Sequence, residues 1–367
     1  MREKKVDKFF LTVVLLLISL GVAMFISASL GILAKNEKLF YSILTSQLVL
    51  GLGCGFVGMY LALKINPKIL RKYSFYFFLG SILLTASVFI PGLGREHGGA
   101  QRWIDLGPVS LQPVEVLKFA FVIYFAAWLS WAKTRVQDFK FGILPLAMLL
   151  GIIAFVLLKQ PDTKSFILIT ITGISMLFIS GVPIKYILGI GMTIIIFLGS
   201  VVFFTPYLRE RVSTFIDPSA DAKGSSYQIQ QSMIAIGSGG IFGRGYGQSI
   251  QKFSYLPEAQ GDSIFAVLGE ELGFVGSVFT ILLYVVFMLR GFKIANNSSD
   301  LFSRLLVFGI VILIGAQSFM HIASIIGVFP LTGVPLVFMS HGGTSLMIDI
   351  VAIGIVLSIS KFNHKTA

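Results

Sequence analysis

The chain has 367 residues, of which 55% are hydrophobic and only 13% are charged, and its mean hydropathy is +0.88. Soluble domains usually carry about 25% charged residues, so the composition excludes an ordinary soluble enzyme and predicts an integral membrane protein. The formal net charge is +12, but lysine and arginine lie in small clusters at the ends of apolar runs, which favours membrane orientation over nucleic-acid binding. The single cysteine, Cys54, excludes an internal disulfide and is expected to be a buried packing residue.

Ten apolar runs approach the length of about 20 residues that a membrane-spanning helix requires. They cover residues 9–34, 39–63, 74–91, 113–132, 141–158, 164–181, 183–205, 263–290, 302–327 and 343–361. The first run follows the basic stretch MREKKVDK and exceeds a signal-peptide core of roughly 7–15 residues, which predicts an uncleaved first helix. The runs 141–158 and 164–181 fit either two short helices or one broken hairpin. The expected fold is an all-α polytopic membrane protein, with about ten transmembrane helices in a single domain over residues 1–367.

The distribution of lysine and arginine predicts the orientation, because cytoplasmic loops of membrane proteins are enriched in both residues. With the N-terminus inside, the inner segments hold seventeen of them: Arg2, Lys4, Lys5, Lys8, Lys64, Lys68, Arg71, Lys72, Lys133, Arg135, Lys140, Lys185, Arg290, Lys293, Arg304, Lys361 and Lys365. The short outer loops hold six: Lys35, Lys38, Arg95, Arg102, Lys159 and Lys164. We therefore expect both termini in the cytoplasm and one long extracytoplasmic loop, residues 206–262.

Acidic residues show the opposite distribution. Nine lie in segments expected outside: Glu37, Glu96, Asp105, Asp162, Glu210, Asp217, Asp221, Glu258 and Asp262. Only four lie inside: Glu3, Asp7, Asp138 and Asp300. Acidic residues contribute little to membrane topology, and Asp262 directly precedes the apolar sequence SIFAVL, where a solvated loop does not explain a carboxylate. The chemistry is therefore expected on the outer face.

The stretch QPVEVLKFAFV predicts a helix that begins at Pro113, since the fixed φ of proline suits a first helical turn. Glu115 and Lys118 are then three residues apart on one helical face. They form either a structural ion pair or part of a polar cavity, because ionisable residues inside a membrane are costly. Arg102, beside Trp103, is expected to anchor the chain at the membrane interface or to contact a polyanion.

Two further motifs lie at helix boundaries. Asp162, in the turn LKQPDTKS, is expected to cap the next helix by accepting backbone N–H bonds. The stretch GVFPLTGVPLVFMSHGGTSL carries Pro330, Gly333 and Pro335 in an apolar context. Such backbone can enter a membrane only where protein or water satisfies its polar groups, so a re-entrant outer loop is predicted. His341 is expected to be a structural hydrogen-bonding residue rather than a ligand.

Six glycines lie close together in the outer sequence GSGGIFGRGYG. This run follows no predicted strand and lacks a Walker lysine–serine pair, so close packing or mobility is favoured over a nucleotide loop. The same outer segment combines cations with carboxylates: Arg209, Arg211, Arg244, Lys252, Glu258 and Asp262. Cations for a phosphate leaving group together with a carboxylate for a proton suit a transferase, although the selectivity ring of a channel uses similar charges.

These stretches resemble the SEDS family (shape, elongation, division and sporulation), whose members are polytopic enzymes that polymerise peptidoglycan from lipid II. RWIDLG followed by QPVEVLK is similar to the family's RWI-x-LG and QPSE-x-x-K, and QPD at 160–162 is similar to its QPD turn. The most specific likeness is SSYQIQQSMIAIGSGGIFGRGYGQSIQKFSYLPEA followed by FAVLGEELGFVG. Within the family, QKFSYLPEA and GEELG resemble the division branch, FtsW, more than the elongation branch, RodA.

Several positions depart from the family pattern. The family usually has Thr-Asp-Phe where this chain has Gly-Asp-Ser at 261–263. It has Leu-Gly-Thr after QPD, whereas this chain has Thr-Lys-Ser at 163–165, which adds a cation, Lys164, to the outer cavity. The last loop reads LVFMSHGGTSL, where the family has LPFISYGGSSL, so Val337 replaces a proline and His341 replaces a tyrosine. His321 occupies a helix position where the family usually has asparagine. None of these changes removes the acid.

The resemblance implies an inverting glycosyl transfer on the outer membrane face. The 4-hydroxyl of an acceptor lipid II attacks the anomeric carbon of the growing strand, and undecaprenyl diphosphate departs. A sugar hydroxyl is a poor nucleophile, so a positioned carboxylate must take its proton, which typically contributes about 10²- to 10⁴-fold. Asp262 matches the family's essential acid, and Glu258 is expected to shape the same cavity. Glu270 and Glu271 are expected to hold buried polar groups in the following helix.

The leaving diphosphate requires positive charge from arginine, lysine or a divalent cation such as Mg²⁺ or Mn²⁺. No protein-bound metal site is predicted. The expected substrate-binding residues come from the same outer motifs: Arg102, Glu115, Lys118, Asp162, Arg209, Arg211, Lys252, Glu258 and Ser340. The polyprenyl chain is expected in a lipid-facing groove.

The implied partners are lipid II, a class B penicillin-binding protein that cross-links the emerging strand, divisome proteins and membrane lipid. The implied location is the bacterial cytoplasmic membrane at the division septum. The alternatives are a lipid II flippase, an elongation-type polymerase and a non-enzymatic scaffold. A flippase needs a polar path to both faces, whereas the polar motifs here crowd the outer side, and a scaffold does not need an ionisable Asp262.

Overall fold

The computed structural model describes residues 6–97, 100–105, 110–217 and 225–361. Some charges used for the orientation lie outside the described residues: Arg2, Glu3, Lys4, Lys5, Asp221 and Lys365. The helices in chain order are α1 Lys8–Leu33, α2 Glu37–Thr45, a π-helix Ser46–Cys54, α3 Gly55–Ala62, α4 Pro67–Ala86, α5 Pro113–Ala132, α6 Ile143–Lys159, α7 Thr163–Ile179, α8 Ile184–Phe204, α9 Pro206–Ile216, α10 Ser225–Gly239, α11 Ile264–Asn296, α12 Leu301–Ile325 and α13 Gly343–Lys361. Short 3₁₀ helices cover Ser87–Phe89, Lys133–Gln137 and Gln251–Phe253.

Capping side chains determine where several of these helices begin. Asp7 accepts the backbone N–H three residues further on, at 2.9 Å, at the start of α1. Asn36 and Asp300 do the same for α2 and α12, at 3.0 and 3.1 Å. Pro113 occupies the first turn of α5, as predicted. Because such caps satisfy donors that a helix leaves unpaired, these boundaries follow from local sequence.

Eight helical segments of the described chain are long and apolar enough to cross a membrane. One of them, Glu37–Ala62, joins α2, the π-helix and α3. The predicted runs 141–158 and 164–181 are two separate apolar helices, α6 and α7, of 17 residues each. At 1.5 Å per residue such a helix is about 25 Å long, slightly shorter than the hydrocarbon core of about 30 Å. The ten predicted runs thus all form helices.

The α2–α3 segment packs on α13 through small residues. At Gly51 and Gly55, a Cβ would lie only 2.9 Å from Leu346 and 3.1 Å from Ile350. Cys54 is exposed, so the prediction that it is a buried packing residue was wrong. The whole run is apolar, so its hydropathy does not indicate which residues face α13. The structure shows that Gly51 and Gly55 face it and Cys54 does not.

Both ends of the described chain lie at one end of the bundle, the terminal end. The backbone N–H of Asp7 donates to the hydroxyl of Ser360 at 3.2 Å, and an Nη of Arg290 lies 2.8 Å from an Asp7 carboxylate oxygen. The opposite end, the loop end, carries the turn before α7 and the segments that precede α11 and α13. The placement of the terminal end in the cytoplasm stays a prediction from the lysine and arginine distribution.

The described chain is mainly helical, as predicted, and it also has a small antiparallel sheet at the loop end. Its strands are β1 Gly94–His97, β2 Ala100–Asp105 and β3 Ser110–Leu111, in the order β1-β2-β3. The six residues of β2, AQRWID, do not alternate between apolar and polar, and β3 has only two residues, so the sequence lacks the alternation that predicts a strand. The sheet carries Arg102 to the turn between α6 and α7.

The segment between α12 and α13, residues 326–342, enters the helix bundle as predicted, and we call it the inserted loop. Its Phe338 carbonyl lies against Gly21 near the middle of α1, where a Cβ would be 2.2 Å from the carbonyl oxygen. Side chains of the surrounding helices donate to six of its carbonyls: Arg211 to Leu331, Lys164 to Gly333, His321 to Val334, Gln317 to Pro335, Tyr284 to Val337 and Gln47 to Ser340. This arrangement satisfies the backbone without a helix or a sheet.

The predicted long loop, residues 206–262, contains α9 and α10 and is more structured than expected. The chain after α10 runs along the first half of α11 and reaches Gly273, about 14 Å from the start of that helix. Gly273 interrupts α11 with a φ of 68°, a conformation that favours glycine. The Phe274 amide then donates to the Gly240 carbonyl at 2.9 Å. The glycine run therefore serves close backbone packing, one of its two predicted roles.

Two carboxylates near this interruption bind the returning chain. Glu270 accepts from the Ser249 hydroxyl at 2.6 Å and from a backbone amide at 3.0 Å. Glu271 accepts from the Ser27 hydroxyl at 2.6 Å and forms a fully buried ion pair with Lys252 at 2.7 Å. The predicted structural role of both glutamates is confirmed.

Lys252 was predicted to bind substrate, but its contacts in the structure are with other parts of the chain. Its ammonium group also donates to the Ser27 hydroxyl at 2.9 Å and to the Gly247 carbonyl at 2.8 Å. An ammonium group has three donors, and with Glu271 all three are used. We exclude Lys252 from the candidate site because no donor is left for a phosphate.

Gly21→Ala should destabilise the protein, because the new methyl group would lie 2.2 Å from the Phe338 carbonyl oxygen. Overpacking of this kind typically costs about 1–3 kcal/mol, and we expect a lower thermal-unfolding midpoint for the detergent-purified protein. Gly80→Ala is the matched control, since no heavy atom lies within 4 Å of its Cβ position. Equal midpoints for the two variants would contradict the packing of the inserted loop on α1.

Lys252→Met should also destabilise the protein, because it leaves the buried Glu271 carboxylate without its partner. Breaking such a pair costs about 3–5 kcal/mol, which thermal unfolding would detect. Lys72→Met, at an exposed lysine, should leave the midpoint unchanged. If the Lys252→Met protein were as stable as the wild type but inactive, Lys252 would have to be assigned to substrate binding and not to the fold.

Candidate functional site

Asp262 lies in the turn that leads into α11. The amides of Gly261 and Ser263 donate to the Glu258 carbonyl at 2.9 and 3.1 Å, which folds this segment tightly. The Asp262 side chain is half-buried and is without a hydrogen bond or an ion pair to any described residue. Its carboxylate therefore keeps its lone pairs for a ligand.

Asp262 meets Lys164 and the inserted loop at Gly333. An atom at the Cβ position of Gly333 would lie 2.9 Å from Oδ2 of Asp262 and 3.8 Å from Nζ of Lys164. The Lys164 ammonium donates to the Gly333 carbonyl, and Gly333 has a φ of 64°. A side chain here would be strained and would displace the carboxylate, so glycine is required for the acid, the cation and the loop to converge.

A cavity of about 140 Å³ opens beside this point. Three cations line it: Arg102, Lys164 and Arg211. Apolar side chains of α7, α8 and α9 form much of the remaining wall: Ile167, Leu198, Val202, Leu208 and Val212. One part of the cavity suits an anionic group and the other suits a hydrocarbon chain, so its shape and charge fit an anionic amphiphile.

Backbone carbonyls hold the two arginines in place. Arg102 donates to the carbonyls of Gln160, at 3.0 Å, and Pro161. Arg211 donates to the Leu331 carbonyl at 2.9 Å. A guanidinium group has five N–H donors, so each arginine retains donors for an anion in the cavity.

One wall of the cavity is a single helix with few neighbours. Only Ile187 of α8 is buried, and Phe203 and Phe204 at its end are exposed. The apolar part of the cavity therefore lies one helix away from the outer surface of the bundle.

Glu115 and Lys118 form the predicted ion pair, with 2.7 Å between Oε2 and Nζ. Lys118 also donates to Gln317 at 2.6 Å, and Gln317 donates to the Pro335 carbonyl at 3.2 Å. Asp349 of α13 lies within electrostatic range of the pair. Glu115 and Lys118 are 3% and 2% exposed and do not line the cavity. Their predicted contact with substrate is not supported, since they lie beneath the inserted loop.

Asp162 and Ser340 also have structural contacts in place of the predicted substrate contacts. Asp162 is fully buried and caps α7, accepting from the Ser165 amide at 3.4 Å and its hydroxyl at 2.8 Å. Ser340 accepts from the Leu336 amide at 2.8 Å and donates to the Gly261 carbonyl at 2.7 Å. Ser340 thereby ties the inserted loop to the turn that carries the acid.

Two further predicted residues lie away from the cationic cavity. Arg209 is exposed and donates to the Phe203 carbonyl. Glu258 lines a second cavity, of about 320 Å³, together with Lys35 and Tyr227. Asp262 itself lines neither cavity, so the expectation that Glu258 shapes the same cavity as Asp262 stays a prediction.

The two histidines near the site are packed into the structure. The His341 ring stacks on Phe25, with centroids 6.1 Å apart, and its amide donates to the Gln260 carbonyl at 2.8 Å. His321 is buried and donates to the Val334 carbonyl. These contacts agree with the structural role predicted for His341.

Lys164 and Gly333 are the site residues that the sequence analysis did not assign. Lys164 was identifiable as a cation at a position where the family pattern has none. The contact of Gly333 with Asp262 joins segments far apart in the chain, and nothing in either segment's sequence indicates it.

A sequence model described as "Cell cycle protein", for FtsW, RodA and SpoVE, matches residues 7–365. A probable peptidoglycan glycosyltransferase FtsW from Geobacter sp. (strain M18) is 36% identical over 359 residues, with 98% of each chain covered. Stage V sporulation protein E from Bacillus subtilis (strain 168) is 33% identical over 361 residues, again with 98% of each chain covered.

Solved structures agree with these sequence relatives. A chain from a peptidoglycan synthase complex, solved in work on the coordination of polymerization and crosslinking, has a TM-score of 0.80 at 29% identity, covering 98% of this chain and 99% of that one. Rod shape determining protein RodA from Thermus thermophilus has a TM-score of 0.70 at 25% identity, covering 98% of both chains. A variant of that RodA with one aspartate replaced by alanine has a TM-score of 0.71. The resemblance found in the sequence is therefore confirmed, and the chain belongs to the FtsW, RodA and SpoVE family of cell cycle proteins.

Proposed function

We propose that this chain is a peptidoglycan glycosyltransferase that polymerises lipid II, a disaccharide-peptide carried on undecaprenyl diphosphate. The observation that carries the proposal is the Asp262 carboxylate, without a hydrogen bond or ion pair to a described residue, beside a cavity with three cations and apolar walls. A polymerase of a lipid-linked sugar needs a base for the hydroxyl, positive charge for the diphosphate and room for the lipid. The relatives named peptidoglycan glycosyltransferase support the same conclusion.

Asp262 acts as the general base. Its carboxylate takes the proton of the acceptor's 4-hydroxyl while that oxygen forms a bond to the anomeric carbon of the donor. The bond between this carbon and the diphosphate oxygen breaks, and undecaprenyl diphosphate leaves with the bonding electrons, so the anomeric configuration inverts. A positioned base contributes typically about 10²- to 10⁴-fold to such a step.

Arg102 and Arg211 neutralise charge on the departing diphosphate with the donors that their backbone contacts leave unused. A divalent ion such as Mg²⁺ or Mn²⁺ would supply the same kind of charge. The part of the chain that the structure describes has no group of three or more His, Cys, Asp or Glu side chains able to hold a metal. Such an ion would therefore enter with the substrate, bound mainly by phosphate oxygens.

The polyprenyl chain leaves the cavity along its apolar wall, towards the lipid beside α8. Because α8 has a single buried residue, the hydrocarbon can stay in contact with the bilayer while the sugar reacts at the loop end. The lysine and arginine distribution supports placing this end on the outer face of the bacterial cytoplasmic membrane.

The cellular role that we propose is septal peptidoglycan synthesis during division. The relatives named FtsW support division over elongation. The structural neighbour solved within a peptidoglycan synthase complex supports a cross-linking partner. We assign this partner as a class B penicillin-binding protein, together with other divisome proteins.

Asp262→Asn should abolish glycan synthesis by purified protein supplied with lipid II, because the amide cannot accept the hydroxyl proton. We expect a loss of about 10²-fold or more, measured by gel separation of glycan strands. The thermal-unfolding midpoint should not change, since Asp262 has no described partner to lose. Near-normal strand synthesis by the variant would refute the assignment.

Glu258→Gln is the matched control, because it removes a carboxylate four positions earlier that lines the other cavity. It should retain most of the activity, because glutamine keeps the size and polarity of this exposed side chain and leaves Asp262 in place. A loss as large as that of Asp262→Asn would show that the base is not assigned correctly. The flippase alternative makes a different prediction: both variants would move lipid II across vesicles, and neither they nor the wild type would make glycan.

A further inference from the structure

Lys164 has unused hydrogen-bonding capacity beside the acid. Its ammonium group has three donors, and its hydrogen bond among the described residues is the one to the Gly333 carbonyl. The side chain is half-buried and lines the cationic cavity. Two N–H groups are therefore left for a ligand in that cavity.

The buried lysines of the protein are in a different state. Lys118 is paired with Glu115 and bonded to Gln317, and Lys252 has three partners. In both cases, the ammonium group is paired with a carboxylate of the same chain. Lys164 has no ion pair to a described residue, so folding contacts do not account for its charge.

The position of Lys164 in its helix is a second, independent observation. It is the second residue of α7, where the helix dipole is positive and a lysine is unfavourable. Helix formation therefore does not explain a lysine here. An anion in the cavity would be attracted by the ammonium group and by the helix N-terminus together.

We infer that Lys164 binds the diphosphate of the lipid-linked donor and holds a positive charge between that group and the Asp262 carboxylate. The identity of the donor rests on the proposed function. The carboxylate and the diphosphate are both negative and must approach the same sugar, so they repel each other. The ammonium group, near Asp262 Oδ2 at Gly333, offsets this repulsion with charge supplied by the chain.

Binding without turnover gives the first test. In an Asp262→Asn background, Lys164→Met should bind farnesyl diphosphate about tenfold or more weakly, since a hydrogen bond to a charged group is lost. Binding of farnesol, which has the same chain without phosphate, should not change. Lys164→Arg should keep diphosphate affinity, because it keeps the charge. Calorimetric titration of the detergent-purified proteins would measure all three.

Lys159→Met is the matched control for net charge. Lys159 lies five residues earlier, is exposed over the Phe155 ring at 4.3 Å and does not line the cavity. Its loss should leave both affinities unchanged. Unchanged diphosphate affinity in Lys164→Met, an equal loss of farnesol affinity, or an equal effect of Lys159→Met would each overturn the inference.

Kinetics of the otherwise wild-type protein complete the test. Lys164→Met should raise the KM for lipid II, and Lys164→Arg should largely restore it, whereas a merely structural defect would be shared by both. Failure of the proposed function is distinguishable, because a wild type that makes no glycan can still show whether Lys164 recognises diphosphate. Strand synthesis with no diphosphate preference in the binding test would overturn only the role of Lys164.

Discussion

A coil inside a helix bundle leaves its peptide carbonyls without partners from regular secondary structure, and each of them must find a donor. The inserted loop meets this requirement with side chains from helices along most of the chain. The functional site depends on the same contacts. Lys164 and Asp262 both lie beside Gly333, to whose carbonyl Lys164 donates, and Ser340 joins the loop to the turn that carries the acid. The position of the Asp262 carboxylate therefore depends on the hydrogen bonds that hold the inserted loop.

The charges inside the protein fall into two groups. Lys252 with Glu271, and Lys118 with Glu115, are buried pairs whose partners are present in the chain. Removal of one member leaves an uncompensated charge, which is why such pairs are structural. The cations at the cavity use only some of their N–H donors in the described contacts, and Asp262 has no hydrogen bond or ion pair to a described residue. Incomplete pairing separates the groups able to act on a ligand from those that hold the fold.

The sequence predicted those features that depend on local patterns. Run length and hydropathy were sufficient for the helices, and capping chemistry identified Asp162. Features that depend on distant contacts were missed or misread. Lys252 was read as a free cation because its partner hydroxyl, that of Ser27, lies in the first helix. The short strands around Arg102 lack periodicity, and the proximity of Asp262 to Gly333 follows only from the three-dimensional path of the inserted loop.

The loop is recognised through its carbonyls, and a carbonyl is present in every amino acid, proline included. The anchoring donors therefore cannot distinguish one residue type from another along the loop. Tyr284 donates to the carbonyl of Val337 at a position where the family pattern has proline, a residue that also carries a carbonyl acceptor. Apart from Gly333, whose φ requires glycine, and Ser340, whose hydroxyl is used, the loop can therefore tolerate sequence change. The particular side chains that must be kept lie mainly on the helices around it.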